Sequence, residues 1–133
     1  MRRLTLPLTC LLAVLAFTTF ARAADHTTDS LETVQKNLND KKAILLDVRE
    51  ENEWKSGHLL QALLVPLSKL RAGTDPKELA PTLDKEKIIY CHCAGGRRVL
   101  PAADILKELG YDIRPLKSGY KDLLEAGFPK AEE

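Results

Sequence analysis

Residues 87–110 read KIIYCHCAGGRRVLPAADILKELG and place a strand, a turn and a helix in direct succession. The apolar run that ends at Cys91 predicts a strand covered on both faces, because it shows no alternation of polar and apolar residues. The apolar stripe along residues 99–109, followed by Gly110, predicts an amphipathic helix. A strand that leads through a short turn into a helix is typical of a sheet with parallel strands.

The alternation of helix and strand continues on both sides of this unit, without internal repeats. We predict, in chain order, a helix from Asp29 or Ser30 to Asn39, a strand over 43–46, a short helix over 50–56, a strand over 63–65, a helical turn from Asp75, a strand over 113–116 and a helix over 120–126. The predicted fold class is therefore α/β, an open, mainly parallel sheet of four to five strands with helices on both faces.

Ligands of open parallel sheets bind beyond the carboxyl ends of the strands. Asp47, Arg49 and Cys93 all follow predicted strands and lie far apart in the sequence. We therefore expect these three side chains to converge on one crevice.

The first 23 residues form a leader of different composition from the rest. Arg2 and Arg3 precede an almost uncharged apolar run over residues 4–20, and Ala21-Arg22-Ala23 ends it with small residues. This arrangement is typical of a secretory signal peptide that is cleaved before Ala24. We expect a signal peptide over residues 1–23 and one domain over residues 24–133, exported to the periplasm or outside the cell. The membrane is involved only through this export signal.

Two alternatives for the leader remain open. Its apolar run is close to the lower limit of about 17 residues for a membrane span, so it could stay uncleaved as an anchor. Cys10 could instead carry a lipid. Pro7 inside the run and the small residues before Ala24 favour cleavage.

The expected mature domain carries little net charge. Loss of Arg2, Arg3 and Arg22 takes the 20 basic residues of the chain to 17 against 19 acidic ones, a formal charge of −2. Nucleic acid is not an expected partner, because sequence-independent binding to it needs a basic surface. The length fits one domain with one core, and nothing in the sequence requires more than a monomer.

The number and spacing of the cysteines give the first indication of a reactive site. Without Cys10, the exported chain would keep Cys91 and Cys93, separated by His92. Such an adjacent pair is not the set of spaced cysteines that small exported domains use for disulfides. The pair indicates either a reactive thiol or two inert core thiols.

Cys93 lies at the turn between strand and helix, where a thiolate is stabilised. The backbone N–H groups of residues 94–98 can surround the sulfur, and the amino end of the following helix directs its positive dipole toward them. Gly95 and Gly96 permit this curl, since glycine takes positive φ readily. The two arginines that follow add charge. Because adjacent helical residues diverge by about 100°, one of the two is expected to face solvent.

The chain resembles the rhodanese-like domain over residues 30–129. Four segments carry the resemblance. They are LLDVRE at 45–50, the segment 53–62 with EW at 53–54, GHL at 57–59 and Ala62, HCAGGRR at 92–98, and the closing stretch 116–129. Each segment is weak alone, and together they are specific. Three positions depart from the family pattern and bear on local geometry, because Gln61 and Ser118 replace glycines and Leu123 replaces a tryptophan.

The resemblance implies a sulfurtransferase that moves a sulfane sulfur through a persulfide on Cys93. The donor is a small sulfur anion such as thiosulfate, or a persulfide, the acceptor is a thiol or cyanide, and no metal or organic cofactor is implied. Cys93 and Arg98 are the expected catalytic residues, and the expected substrate-binding residues are Ala94, Gly95, Gly96, Arg97, Asp47 and Arg49. Two partners stay open for Asp47, namely Arg98 or a simple ion pair at the end of its strand.

Two other functions stay open. Cys91 and Arg97 also spell the C-x5-R loop of cell-cycle phosphatases and arsenate reductases. Counting back twelve residues from Gly110 reaches Arg98, which favours the shorter C-x4-R loop of Cys93 that resembles sulfurtransferases. Cys91 is then expected in the core. The second alternative is a binding module or sulfur carrier with negligible turnover of free thiosulfate.

The side chains around these motifs have expected structural roles. His58 should bond a backbone carbonyl and His92 should point into the fold, and neither has a third partner at metal-ligand spacing. We expect Trp54 in the core. A solvated helix face is expected from Glu51, Glu53 and Lys55.

Overall fold

The computed structural model describes residues 23–132, in which helices lie between all successive strands from Leu31 onward. The elements are α1 (Leu31–Asn39), β1 (Ala43–Asp47), α2 (Glu51–Lys55), β2 (Ala62–Leu64), α3 (Leu67–Arg71), α4 (Pro76–Leu79), β3 (Ile88–His92), α5 (Val99–Glu108), β4 (Asp112–Pro115) and α6 (Tyr120–Glu125). Apart from Ala23, the expected signal peptide with Cys10 lies outside the described residues. Among the helices of residues 23–132, none has the length and apolar character needed to cross a bilayer.

The sheet confirms the predicted fold class. Its strands lie in the order β2-β1-β3-β4, and all three pairings are parallel. Within residues 23–132 the sheet has four strands, the lower of the two expected numbers. The two central strands end side by side, because Asp47 is paired with His92 in the register of β1 and β3. Their carboxyl ends therefore open onto one edge of the sheet.

Two hydrophobic clusters cover the two faces of the sheet. Leu46, Ile89 and Cys91 pack with residues of α3, α4 and α5 on one face. Leu45 and Tyr90 pack with residues of α1 and α6 on the other. Since neighbouring residues of a strand point to opposite faces, a strand with helices on both sides needs consecutive apolar residues. This requirement explains the uninterrupted apolar runs of β1 and β3.

Two helices begin at predicted capping residues. The Ser30 side chain accepts a hydrogen bond of 3.1 Å from the Thr33 N–H and begins α1. The Asp75 carboxylate does the same for the Lys77 N–H at 2.9 Å and begins α4. Helix α3 was not predicted, because only Leu67 and Leu70 of its single turn and a half are buried. Two apolar positions are too few to distinguish such a short helix from a loop.

Candidate active site at the carboxyl ends of the central strands

The turn between β3 and α5 wraps around the sulfur of Cys93. The Gly96 N–H donates a hydrogen bond of 3.1 Å to Cys93 Sγ. The Cys93 residue is only 1% exposed, so the thiol lies at the bottom of the turn. Ala94, Gly95 and Arg97 are exposed and form the rim above it. The expected convergence of a main-chain amide on the sulfur is therefore present at Gly96.

Only one of the two turn glycines uses the special freedom of the residue. Gly96 has φ +82, and a Cβ at this position would overlap the carbonyl oxygen of Lys117. Any L-residue at position 96 would therefore have a strained backbone, and its Cβ would clash with the Lys117 main chain. Gly95 has no positive φ, and a Cβ there would meet no atom within 4 Å. Of the two glycines expected to permit the curl of the turn, Gly96 is therefore the one that does so through a positive φ.

Residues 116–120, which lead into α6, pack against the main chain of the turn. The Tyr120 N–H donates to the Cys93 carbonyl at 2.9 Å, and the Leu116 N–H donates to the Cys91 carbonyl at 2.9 Å. A Cβ at Gly119 would overlap the carbonyl oxygen of Ala94. The close approach of the two backbones therefore depends on Gly119, the glycine of the family pattern that this chain keeps beside Ser118.

Arg98 makes a two-point ion pair that the sequence did not indicate. Its Nη1 and Nη2 lie 2.6 and 2.9 Å from the two carboxylate oxygens of Glu53, in α2. The hydrogen bonds from Arg98 lower the pKa of Glu53 to about 2, although partial burial acts in the opposite direction. The same pair raises the pKa of Arg98. Arg98 therefore pairs with Glu53 and not with Asp47, which leaves a simple ion pair at the strand end as the remaining alternative for Asp47. The assignment of Glu53 to a solvated face is wrong.

Asp47 and Arg49 form a buried ion pair beneath the turn. Arg49 donates through Nε and Nη2 to the Asp47 carboxylate at distances of 2.8 to 3.1 Å, and its Nη2 also donates to the Gly57 carbonyl at 2.8 Å. The guanidinium carbon lies 4.2 Å from the ring centre of Tyr120. Both residues are nearly inaccessible to solvent, with 0% and 4% exposure. The structure therefore places them as a brace under the crevice, the role that the resemblance implies for them, and leaves almost none of either side chain exposed for direct contact with a substrate.

His92 points into the fold as expected and lies beside this ion pair, where its buried Nε2 has no hydrogen-bond partner among the described residues. Its Nε2 lies 3.6 Å from Asp47 Oδ2, and its Nδ1 lies 3.4 Å from the Cys93 carbonyl oxygen. Burial lowers the pKa of His92, and the nearby Asp47 carboxylate only partly offsets this effect. The imidazole is therefore neutral at neutral pH. An uncharged ring beside the carboxylate leaves Arg49 as the residue that balances the charge of Asp47.

The second cysteine lies in the core. Cys91 is fully buried and belongs to the hydrophobic cluster that packs against α5. Its Sγ lies 3.8 Å from the Val99 carbonyl oxygen. Burial, with a smaller contribution from Cys93, raises the pKa of the Cys91 thiol far above its ordinary range. Both cysteines are free thiols.

The remaining expected structural roles hold with one adjustment. His58 Nδ1 donates to the Trp54 carbonyl at 3.0 Å, as predicted for this histidine. Its ring also stacks on the Trp54 indole, with ring centres 3.6 Å apart and planes inclined by 6°. Trp54 is half-buried at the margin of the core instead of fully inside it. Among residues 23–132 there is no group of three or more histidine, cysteine, aspartate or glutamate side chains that could hold a metal ion.

Sequence reasoning missed two residues at this site. Glu53 was missed because its partner lies 45 positions away, although its spacing from Glu50 marks the capping box that begins α2. His26 was missed because it precedes the first helix, in a segment with no periodic pattern. Its Nε2 lies 2.6 Å from the Gly96 carbonyl oxygen.

Comparison with known proteins finds rhodanese-like relatives of this chain. The family model of the rhodanese-like domain matches residues 30–126. The protein YqhL of Bacillus subtilis is 38% identical over 82 residues, which are 61% of this chain and 60% of that protein. The human single domain sulfurtransferase TSTD1 has a TM-score of 0.64 at 28% identity, and the match covers 74% of this chain and 95% of that one. A rhodanese-related protein of Thermoplasma volcanium has a TM-score of 0.61 at 28% identity, over 77% of this chain and 94% of that one.

Proposed function

The chain belongs to the family of rhodanese-like domains, and from that premise we propose that it moves a sulfane sulfur from a donor to an acceptor through a persulfide on Cys93. One observation carries the proposal. The Gly96 N–H is directed at Cys93 Sγ from 3.1 Å, at the bottom of a turn whose rim is open to solvent. A main-chain donor in this position stabilises a negative charge on sulfur. The likeness to the human sulfurtransferase supports the same chemistry.

The first half of the reaction loads the enzyme with sulfur. The Cys93 thiolate attacks the outer sulfur of thiosulfate, a new S–S bond forms, and the original S–S bond breaks as sulfite leaves with its electron pair. The Cys93 side chain is almost inaccessible, but the added sulfur extends about 2 Å farther toward the rim. This outer sulfur is the atom that an acceptor can reach.

The second half returns the enzyme to its starting state. An acceptor thiolate or cyanide attacks the outer sulfur, and Cys93 leaves as a thiolate that the Gly96 amide stabilises. Arg98, held in place by Glu53, supplies positive charge at the edge of the turn, and the exposed Arg97 adds charge at the rim. Small sulfur anions and thiols are therefore the proposed substrates.

Mass spectrometry after treatment with thiosulfate tests this mechanism. We expect one added sulfur atom on the peptide that contains Cys93, loss of that addition in Cys93→Ser, and its retention in the matched variant Cys91→Ser. An unmodified Cys93, together with undiminished sulfur transfer to cyanide by Cys93→Ser, would refute the proposal. Phosphatase or arsenate reductase activity through Cys91 has little support, since its thiol is buried and its pKa is raised.

A sulfur-carrier role is the second candidate, and one observation favours it. The positive charge of Arg98 is already paired with Glu53, so less of it is free to attract a small anion from solution. A carrier would accept sulfur from a protein persulfide and turn over free thiosulfate very slowly. Steady-state kinetics with thiosulfate and cyanide, compared with loading from a protein persulfide, separates the two roles.

We also propose that the protein is exported. The support is the composition of residues 1–23, with paired arginines, an apolar run and small residues before Ala24. Expression of the full chain in a bacterium, followed by fractionation and measurement of the intact mass, tests this proposal. A periplasmic or secreted protein that begins at Ala24 is expected, and a cytoplasmic chain of full mass would contradict it.

A further inference from the structure

Residues 24–29 form an N-terminal strap that is anchored on three elements of the domain. The Ala24 N–H donates to Asp104 of α5 at 2.7 Å. The Thr27 N–H donates to the carbonyl of Pro115, at the end of β4, also at 2.7 Å. Asp29 accepts hydrogen bonds from the Tyr90 hydroxyl of β3 at 2.6 Å and from Arg114 of β4 at 2.9 Å. The strap is thus held at both ends and in the middle.

These anchors bring His26 to the turn that surrounds Cys93. His26 Nε2 lies 2.6 Å from the carbonyl oxygen of Gly96, and the ring is half-buried. A carbonyl oxygen can only accept a hydrogen bond, so Nε2 must carry the proton in this contact. Both the neutral Nε2–H tautomer and the imidazolium satisfy this requirement. The contact therefore does not depend on a charged histidine.

Gly96 is the residue whose N–H contacts the Cys93 sulfur. Its φ of +82 lies in a region that residues other than glycine rarely adopt, and it sets the relative orientation of the Gly95–Gly96 and Gly96–Arg97 peptide units. His26 contacts the carbonyl of the Gly96–Arg97 unit. The Gly96 N–H belongs to the preceding peptide unit, so a contact that holds the Gly96 carbonyl acts on this N–H through the φ and ψ angles of Gly96.

We propose that His26 is a positioning residue of the turn, which fixes the Gly96–Arg97 peptide unit and thereby the Gly96 N–H that stabilises charge on the Cys93 sulfur. The effect on catalysis rests on the proposed persulfide chemistry of Cys93. His26 acts through the backbone of Gly96 and does not itself react. Its role is to keep the turn preorganised, so that charge can develop on sulfur without rearrangement of the donors.

Kinetics with two substitutions separates this role from simple packing. In His26→Leu the donor is lost, and we expect kcat for sulfur uptake from thiosulfate to fall about tenfold, less than the ~10²–10³-fold cost of removing a donor that contacts the reacting charge directly. His26→Gln keeps an N–H near the position of Nε2 and should recover most of the rate. KM should change little in both variants. Thr28→Ala, at an exposed position of the strap, is the matched control and should behave as the wild type.

NMR of isotope-labelled protein tests the same contact without reference to activity. In the wild type, we expect the His26 ring nitrogen Nε2 to have the chemical shift of a protonated nitrogen and its N–H to exchange slowly. In His26→Leu the Arg97 amide resonance should move, and in His26→Gln it should stay near its wild-type position. Thermal unfolding of each variant shows whether a rate has changed because the fold is lost.

The outcomes are distinguishable. Equal rates for wild type and His26→Leu with an unmoved Arg97 amide would overturn the proposal, as would equal losses in the leucine and glutamine variants that both remain folded. If the wild type takes up no sulfur on Cys93, the proposed function fails. The NMR comparison then still decides whether His26 positions the peptide unit.

Discussion

Arg98 and Glu53 share two hydrogen bonds across 45 positions of sequence, with N–O distances of 2.6 and 2.9 Å. Arg98 ends the turn around Cys93, whereas Glu53 belongs to the short helix α2 on the other side of the crevice. Each side chain is about one-third exposed. A bidentate pair fixes the plane of the guanidinium more firmly than a single contact does. The pair therefore sets where the positive charge of Arg98 lies relative to the mouth of the turn.

Glu53→Gln is expected to change kcat and KM for thiosulfate in a way that reveals this role. Without its partner, the Arg98 guanidinium attracts the donor anion more strongly, so we expect KM to fall. The guanidinium is also less well fixed, so we expect kcat to fall. Each change should be about two- to fivefold, the range expected for a partly exposed ion pair. Glu51→Gln removes an exposed carboxylate of the same helix, which pairs with Lys55, and serves as the control. Unchanged constants in Glu53→Gln would show that the pair is only structural.

The stability of the protein should depend on pH through Glu53. Its pKa falls from the ordinary 4.5 to about 2 on folding, so the unfolded chain binds its proton first as the pH decreases. The contribution is present above about pH 4.5 and is lost as the pH falls toward 2. Because the pair is partly exposed, we expect it to amount to about 1 kcal/mol. Denaturant titrations between neutral pH and pH 2 should show a smaller decrease in unfolding free energy for Glu53→Gln than for the wild type.

The two glycines of the turn should respond in opposite ways to alanine. Gly96→Ala places a Cβ against the Lys117 carbonyl at φ +82, and we expect a loss of about 2 kcal/mol or more in unfolding free energy, together with loss of sulfur uptake. Gly95→Ala meets open space and should change stability by less than about 0.5 kcal/mol. Chemical denaturation of the two variants side by side provides the measurement. Similar losses in both would show that the turn is not arranged as described.

Removal of the leader should strengthen the first anchor of the strap. Cleavage after Ala23 would convert the Ala24 amide into an ammonium group within 2.7 Å of the Asp104 carboxylate, and a charge-assisted bond is stronger than a neutral one. A chain that begins at Ala24 should therefore be about 0.5–1 kcal/mol more stable than one with Gly-Ser before Ala24. In Asp104→Asn this difference should disappear. A difference that persists in Asp104→Asn would assign the effect to something other than this pair.

The parallel sheet could be predicted because its signals are local. Consecutive apolar residues at 43–46 and 87–91 indicate strands covered on both faces, and Gly110 marks the end of the helix that follows. The boundaries of these elements were predicted to within a residue or two. Helix α3 was missed since one and a half turns with two buried leucines carry too weak a pattern. The turn itself could be located from its thiol and glycines, but the sequence could not show that only Gly96 takes positive φ.

The ion-pair partners at the crevice could not be predicted from local sequence patterns. Asp47, Glu53, Arg49 and Arg98 offer several combinations of opposite charge, and all of them are compatible with the same strands and helices. The sequence left Asp47 with two alternatives, Arg98 or a simple ion pair at the strand end, and the structure has the second, with Asp47 joined to Arg49 and Glu53 joined to Arg98. Arg49 is two positions after Asp47 and can turn back on it beneath the sheet edge. Arg98, at the start of α5, is paired with Glu53 of α2 instead.

The amino-acid sequence alone determined the order of elements, the parallel sheet and the position of a thiol at a strand-to-helix turn, because periodicity and turn composition act over a few residues. Tertiary structure decided which donor contacts that thiol, which carboxylate holds Arg98, and that the N-terminal strap brings His26 to Gly96. These are contacts between residues distant in the chain. They depend on the relative placement of packed elements, which the chain acquires only when its core closes and which no local pattern encodes.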